Sequence, residues 1–132
     1  MKFPLLALLV LLVACSKSDP TPANAFVGTW RLTTYCKPTS GTACTTVNVP
    51  TDKGVFITFD NEGQFKETYA NTTPAEYGFL SASGSYSVEH GGIRIQTFLM
   101  SSMAGQFIKV VSVDSRRLVL TPYTNGEYIF VR

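Results

Sequence analysis

Short runs of alternating apolar and polar residues recur along the chain from residue 55, four of them followed by a short turn. The runs are VFITFD (55–60), QFKETYA (64–70), GSYSVEH (84–90), IRIQTF (93–98), QFIKVVSVD (106–114), RLVLTP (117–122) and EYIFVR (127–132). They are rich in β-branched and aromatic residues, and a period of two sends alternate side chains to opposite faces of a sheet. Between them stand NEG (61–63), HGG (90–92), DS (114–115) and TNG (124–126), where glycine or asparagine takes a positive φ without strain. Joints this short make successive strands antiparallel neighbours, so the pattern predicts an up-and-down meander. FVGTWRLTTYC (26–36) supplies the first strand and TTVNV (45–49) an optional short one. Eight or nine antiparallel strands avoid exposed edges most simply by closing into a barrel, and the predicted domain is an all-β barrel over residues 26–132. An immunoglobulin-like sandwich fits less well. Its tryptophan lies between the bridging cysteines in sequence, whereas Trp30 precedes both Cys36 and Cys44.

The N-terminus has a different composition. MKFPLLALLVLLVAC places Lys2 before an apolar run, Leu5 to Ala14, that is too short to cross a ~30 Å hydrocarbon core as a helix. It reads as an export signal. Leu12-Val13-Ala14-Cys15 resembles the lipobox of bacterial lipoproteins. That resemblance implies cleavage after residue 14, a diacylglyceryl thioether on the Cys15 sulfur, and a membrane as partner through that lipid. The alternative is an ordinary secretory signal with a chance cysteine. By the same resemblance the protein belongs to the cell envelope, and Ser16 after the cysteine favours the outer membrane, with its face left open. Residues 1–14 are then a signal peptide and 15–25 a lipidated tether, because SKSDPTPANA (16–25) is polar, carries two prolines and cannot bury apolar surface.

Charge and motifs narrow the function. The formal net charge is +2 with no block of like charge, which argues against nucleic acid. Catalysis has little support, so the domain is expected not to be an enzyme. The lone histidine, His90, stands in a turn, SASGS (81–85) lacks the setting of a nucleophile elbow, and no metal or cofactor pattern occurs. Cys36 and Cys44, close together in CKPTSGTAC, are expected to form a disulfide in an oxidising compartment. Free thiols and a metal site are the rivals.

Gly28-Thr29-Trp30 on the first strand, directly after the tether, resembles the G-x-W signature of lipocalins, and the strand order is similar to the lipocalin-like domains of small bacterial lipoproteins. The resemblance implies that Gly28 lets the chain bend at the barrel entrance and that Trp30 plugs a closed end under an arginine. Arg132 and Arg117 are both candidates for that arginine. The second lipocalin motif is absent, since SVDSRR offers only Asp114, and no room remains for a C-terminal helix. The barrel is therefore expected to be trimmed and its cavity shallow.

An eight-stranded interior is either filled by side chains or lined around one small molecule. Phe65, Glu67 and Tyr69 share one strand face. A carboxylate among them is either turned outward by a register slip or bulge, or makes a polar contact inside a pocket. Two connections, NTTPAEYGFLSAS (71–83) and FLMSSMAG (98–105), are apolar for loops. If both lie at one mouth, Tyr77, Phe79, Met100 and Met103 form its rim, and folding back onto the core is the alternative. The expected function is binding of a small apolar or amphipathic ligand, with contacts expected at Glu67, Tyr77, Phe79, Met100 and Met103. The alternative is a non-catalytic envelope module that docks an unknown protein or a glycan through loops or outer face.

Overall fold

The protein is described by a computed structural model over residues 22–38, 44–77, 83–97, 105–121 and 126–132. Its strands are β1 (Gly28–Pro38), β2 (Cys44–Asn48), β3 (Gly54–Phe59), β4 (Gln64–Ala70), β5 (Ser83–Glu89), β6 (Gly92–Thr97), β7 (Gln106–Val113), β8 (Arg117–Thr121) and β9 (Tyr128–Val131). Eight of them, β1 and β3 to β9, pair antiparallel in succession, and β1 also pairs with β9, which closes the barrel. Each strand of that wall thus has a neighbour on both sides.

Two departures from a simple meander have local causes. The short strand β2 is not a stave between β1 and β3. The first part of β1 pairs with β3, from Gly28↔Phe59 to Arg31↔Phe56, and its far part, Thr34 to Pro38, pairs with β2. The register of β1 against β9 shifts between Leu32 and Thr34, a bulge that bends the strand where it changes partner. The second departure is a one-turn helix, α1 (Pro74–Tyr77), in a segment the sequence reads as loop. Proline suits the first helical position because its missing N–H would be unpaired there anyway. The last three residues assigned to the extended tether, Ala23–Ala25, form a single 3₁₀ turn.

Period-two alternation carries into the packing. Val55, Ile57 and Phe59 of β3, Ile93 and Ile95 of β6, Leu118 and Leu120 of β8, and Phe130 of β9 are all buried at 1% exposure or less. They meet Trp30 and Leu32 of β1 in one core. Along β4 the alternation is unbroken, from Gly54↔Ala70 to Phe59↔Phe65 against β3, so Phe65, Glu67 and Tyr69 all face inward. The slip or bulge that would turn Glu67 outward is absent from this pair of strands.

The up-and-down order gathers the turns at 60–63, 90–91 and 114–116 at one end, with the entry to β1 and the exit from β9. The strand ends that flank residues 71–82, 98–105 and 122–127 lie together at the opposite end. Both apolar connections therefore leave from one mouth.

Candidate functional site

The first end is sealed. Trp30 is fully buried, and its indole Nε1 donates to the Phe26 carbonyl at 2.8 Å, so the chain entering the barrel is tied to its own plug. The Arg132 guanidinium lies 4.1 Å from the centre of the Trp30 ring system. Its Nη1 donates to the Val27 carbonyl at 2.7 Å and its Nε to the Ser115 carbonyl at 2.8 Å, so one side chain joins the start of β1, the β7–β8 turn and the last residue. Gly28 has a φ of 133°, and a Cβ there would stand 2.8 Å from Arg132 Nη1. Only glycine supplies both the dihedral and the space. Of the two candidate arginines, Arg132 is the one on Trp30.

The opposite end is lined differently. The Tyr35 ring meets the Tyr77 ring edge-on at 5.5 Å between centroids and 89°, and the Tyr128 ring at 6.0 Å. Tyr77 is half-buried against the core and carries the Lys53 ammonium 5.5 Å from its ring centroid. Lys53 Nζ donates to Glu76 Oε2 at 3.0 Å, and the Thr72 hydroxyl donates to the same oxygen. The Thr72 hydroxyl first, then the Lys53 ammonium, hold the Glu76 carboxyl below the usual carboxylate range, while Glu76 holds Lys53 above the usual lysine value. This latch fastens α1 to the β2–β3 connection. Burial, then the neighbouring Tyr77 and Glu76, pushes the Tyr35 phenol up.

Glu67 is the misfit in this interior. It is buried at 9% exposure, sits opposite Ile57, and accepts a hydrogen bond from the Tyr69 hydroxyl on the same strand face. Thr97, at the end of β6, is the other buried polar residue among those described. The half of the barrel away from Trp30 thus combines Tyr35, Tyr69, Tyr77 and Tyr128, with the Glu67 carboxyl on the same inward face of β4 as Tyr69.

Phe79, Met100, Met103 and Cys15 lie outside the described residues, as does the side chain of Cys44. The backbone of Cys44 stands opposite Pro38, two residues along β1 from the buried Cys36. Tyr35 was not legible as a lining residue, because strict alternation from Trp30 and Leu32 turns Thr34 inward. The bulge after Leu32 resets the parity and puts Tyr35 inside at 9% exposure.

Outside the barrel, a groove runs across β3, β4 and β5. One part, of 560 Å³, is lined by Thr58, Asp60, Gln64, Phe65, Lys66, Thr68, Ser83 and Gly84, and a second, of 320 Å³, by Gln64, Gly84, Ser85, Gln96 and Thr97. The β4–β5 ladder spans only Gln64↔Ser85 to Lys66↔Ser83, which leaves the wall shallow there.

A family model described as a lipocalin-like domain matches residues 26–120, from Phe26, whose carbonyl holds the plug Trp30, through most of β8. The chain belongs to the lipocalin-like domain family. Among solved structures, a lipocalin-like protein from Bacteroides uniformis is similar to this lipocalin-like domain, with a TM-score of 0.53 and 19% identity over 82% of this chain and 98% of its own. An uncharacterized protein from Bacteroides eggerthii aligns at 15% identity over 81% of this chain and 98% of its own, with a TM-score of 0.43. No curated protein matches the chain. The strand that closes this lipocalin-like barrel, β9, and the arginine that covers its plug lie beyond the matched residues.

Proposed function

We propose that this lipocalin-like domain binds one small apolar or amphipathic molecule at the end of its barrel opposite Trp30, acting by binding and not by catalysis, without a cofactor. The observation that carries the reading is the contrast between the ends. Trp30 and Arg132 seal one, while Tyr35, Tyr69, Tyr77 and Tyr128 and the buried Glu67 furnish the other with apolar surface and a polar handle. Binding sites for small molecules combine such surface with a few placed polar groups. The resemblance of Leu12-Val13-Ala14-Cys15 to a lipobox supports a lipid anchor on Cys15, which would hold the domain at the cell envelope on the tether 15–25, with Ser16 after the cysteine favouring the outer membrane.

An environment-sensitive apolar dye tests it. Saturable binding at about one per molecule is expected, since ~25 cal/mol per Å² of buried apolar surface supports micromolar affinity from a modest pocket after the costs of association. Phe79→Ser with Met100→Ser should weaken the dye and leave the unfolding midpoint nearly unchanged. A dye that never saturates, or variants that unfold, would show a solid core.

The outer groove favours a second reading, docking of a glycan or an extended protein segment on β3–β5, because amide and hydroxyl side chains, Lys66 and Asp60 stand along it beside apolar surface that includes Phe65. Replacing Gln64 and Gln96 by alanine would then abolish partner capture while the dye still binds.

A further inference from the structure

We infer that the outer wall made by β7, β8 and β9 docks on an anionic lipid surface, so that the barrel lies on its side at the membrane. The inference goes beyond ligand binding, and it rests on the anchor proposed at Cys15 for bringing that surface within reach. Three large apolar side chains stay exposed among the described residues, Val111 at 46%, Phe107 at 42% and Val131 at 36%, and all three stand on β7 or β9. The strand between them adds to the patch. Leu118 and Leu120 face the interior, which turns Val119 outward between Ser112 and Ile129, where it is 3% exposed yet stands apart from the interior cluster. An apolar patch gathered on the outside of a wall whose inside is already packed marks an interaction surface.

Charge decides what covers it. The contiguous strands β6, β7, β8, β9 and β1 contain no acidic residue. Lys109 and Arg117 are exposed on outward positions of β7 and β8, and Val131 stands in one row between Arg117 and Arg31 of β1. Arg31 donates to the Thr51 and Lys53 carbonyls at 3.0 and 2.9 Å, which are neutral partners. The acids at the margins are engaged elsewhere: Asp114 accepts from the Arg116 and Arg117 backbone N–H groups, and Glu89 pairs with Arg94. A second copy laid face to face would set these cations against their own kind. A lipid surface offers anionic headgroups to the cations and an acyl boundary to the apolar side chains between them. The tether 15–25 enters the barrel at the end where the Arg117–Val131–Arg31 row lies, and it reaches at most about 40 Å. The eight residues of β7 span only about 27 Å, so the anchored domain has chain enough to lie along the membrane.

The test uses the full chain carrying Cys15→Ala, which has no acyl group, and sedimentation with vesicles of phosphatidylcholine alone or in equal parts with phosphatidylglycerol. The chain should bind the anionic vesicles at least about tenfold more tightly, and added salt should erode the difference. Lys109→Ser should cut that preference about fivefold, the share of one cation near such a surface, whereas Lys66→Ser removes the same charge from the β3–β5 wall and should leave it unchanged. Arg117→Ser should act as Lys109→Ser does, which keeps the test open if either variant fails to fold, and Val111→Ser should weaken binding to the anionic vesicles. The absence of a preference, or equal losses from Lys109→Ser and Lys66→Ser, overturns the inference and leaves the anchor and the ligand reading standing. A dimer that Val111→Ser dissolves, in a chain indifferent to lipid charge, overturns it too and gives the face to a second copy. Because no acyl chain takes part, failure of the anchor itself is read separately, from the mass of native Cys15.

Discussion

Arg132 covers Trp30 with its guanidinium 4.1 Å from the ring centre while its Nη1 donates to the Val27 carbonyl, so the last residue of the chain fastens the first strand of the barrel. Trp30→Ala should cost about 3–5 kcal/mol as a large-to-small change in a packed core. Arg132→Ala loses a cation–π contact at an exposed position, on the order of 0.5–1 kcal/mol, together with its two carbonyl contacts. Gly28→Ala adds a methyl 2.8 Å from Nη1 as well as a strained φ. Part of its cost should disappear in an Arg132→Ala background, which denaturant midpoints of the two singles and the double will read. Additive effects would separate Gly28 from Arg132. The indole emission of the wild type should be blue-shifted.

The α1 latch should weaken in acid. Because folding lowers the Glu76 carboxyl, the stability it adds is fully present above the ordinary carboxylate value of about 4.3 and is lost as pH falls through the lower folded value. Thermal midpoints of wild type and Glu76→Gln should therefore differ at neutral pH and converge in acid. A gap that persists at low pH would assign the effect to helix packing.

Tyr35 should titrate late. Burial raises its phenol in the folded chain, so its contribution is fully present below about pH 10 and is lost as pH rises through the raised value. Tyrosinate absorbance of the folded protein should contain a component above the ordinary range that Tyr35→Phe diminishes. Tyr86, also raised by burial first and then by Asp60, should keep the remainder.

Cys36 and Cys44, on the paired strands β1 and β2, are expected to be joined. Oxidised protein should be about 2 Da lighter than reduced protein, and reduction should cost roughly 2–3 kcal/mol in the chain-entropy model for so short a loop. Two alkylated thiols in unreduced protein purified from an oxidising compartment would rule the bond out.

Mass spectrometry of protein extracted from membranes should find acyl chains on Cys15. Cys15→Ala should leave the precursor uncleaved and without lipid. An unmodified Cys15 at a free N-terminus would remove the anchor from the proposal.

Local chemistry alone settled the strands. Alternation and turn residues predicted the staves from residue 54 onward to within about a residue of where they lie, because period-two burial and positive φ are properties of a few consecutive residues. The G-x-W tripeptide likewise marked Trp30 as a plug. What the sequence could not decide were relations across the barrel. Arg132 and Arg117 both follow turns near the end of the chain, and only closure of β9 onto β1 brings Arg132 over a ring 102 positions earlier and to a carbonyl 105 positions away. A bulge in β1, set by the change of partner from β3 to β2, put Tyr35 inside against the parity of its strand. Glu67 is inward because all of β4 is held in register by β3, where its own charge argued for the outside. Alternation is a local property that a sequence carries; partner choice and closure are collective, decided by which faces can be buried at once.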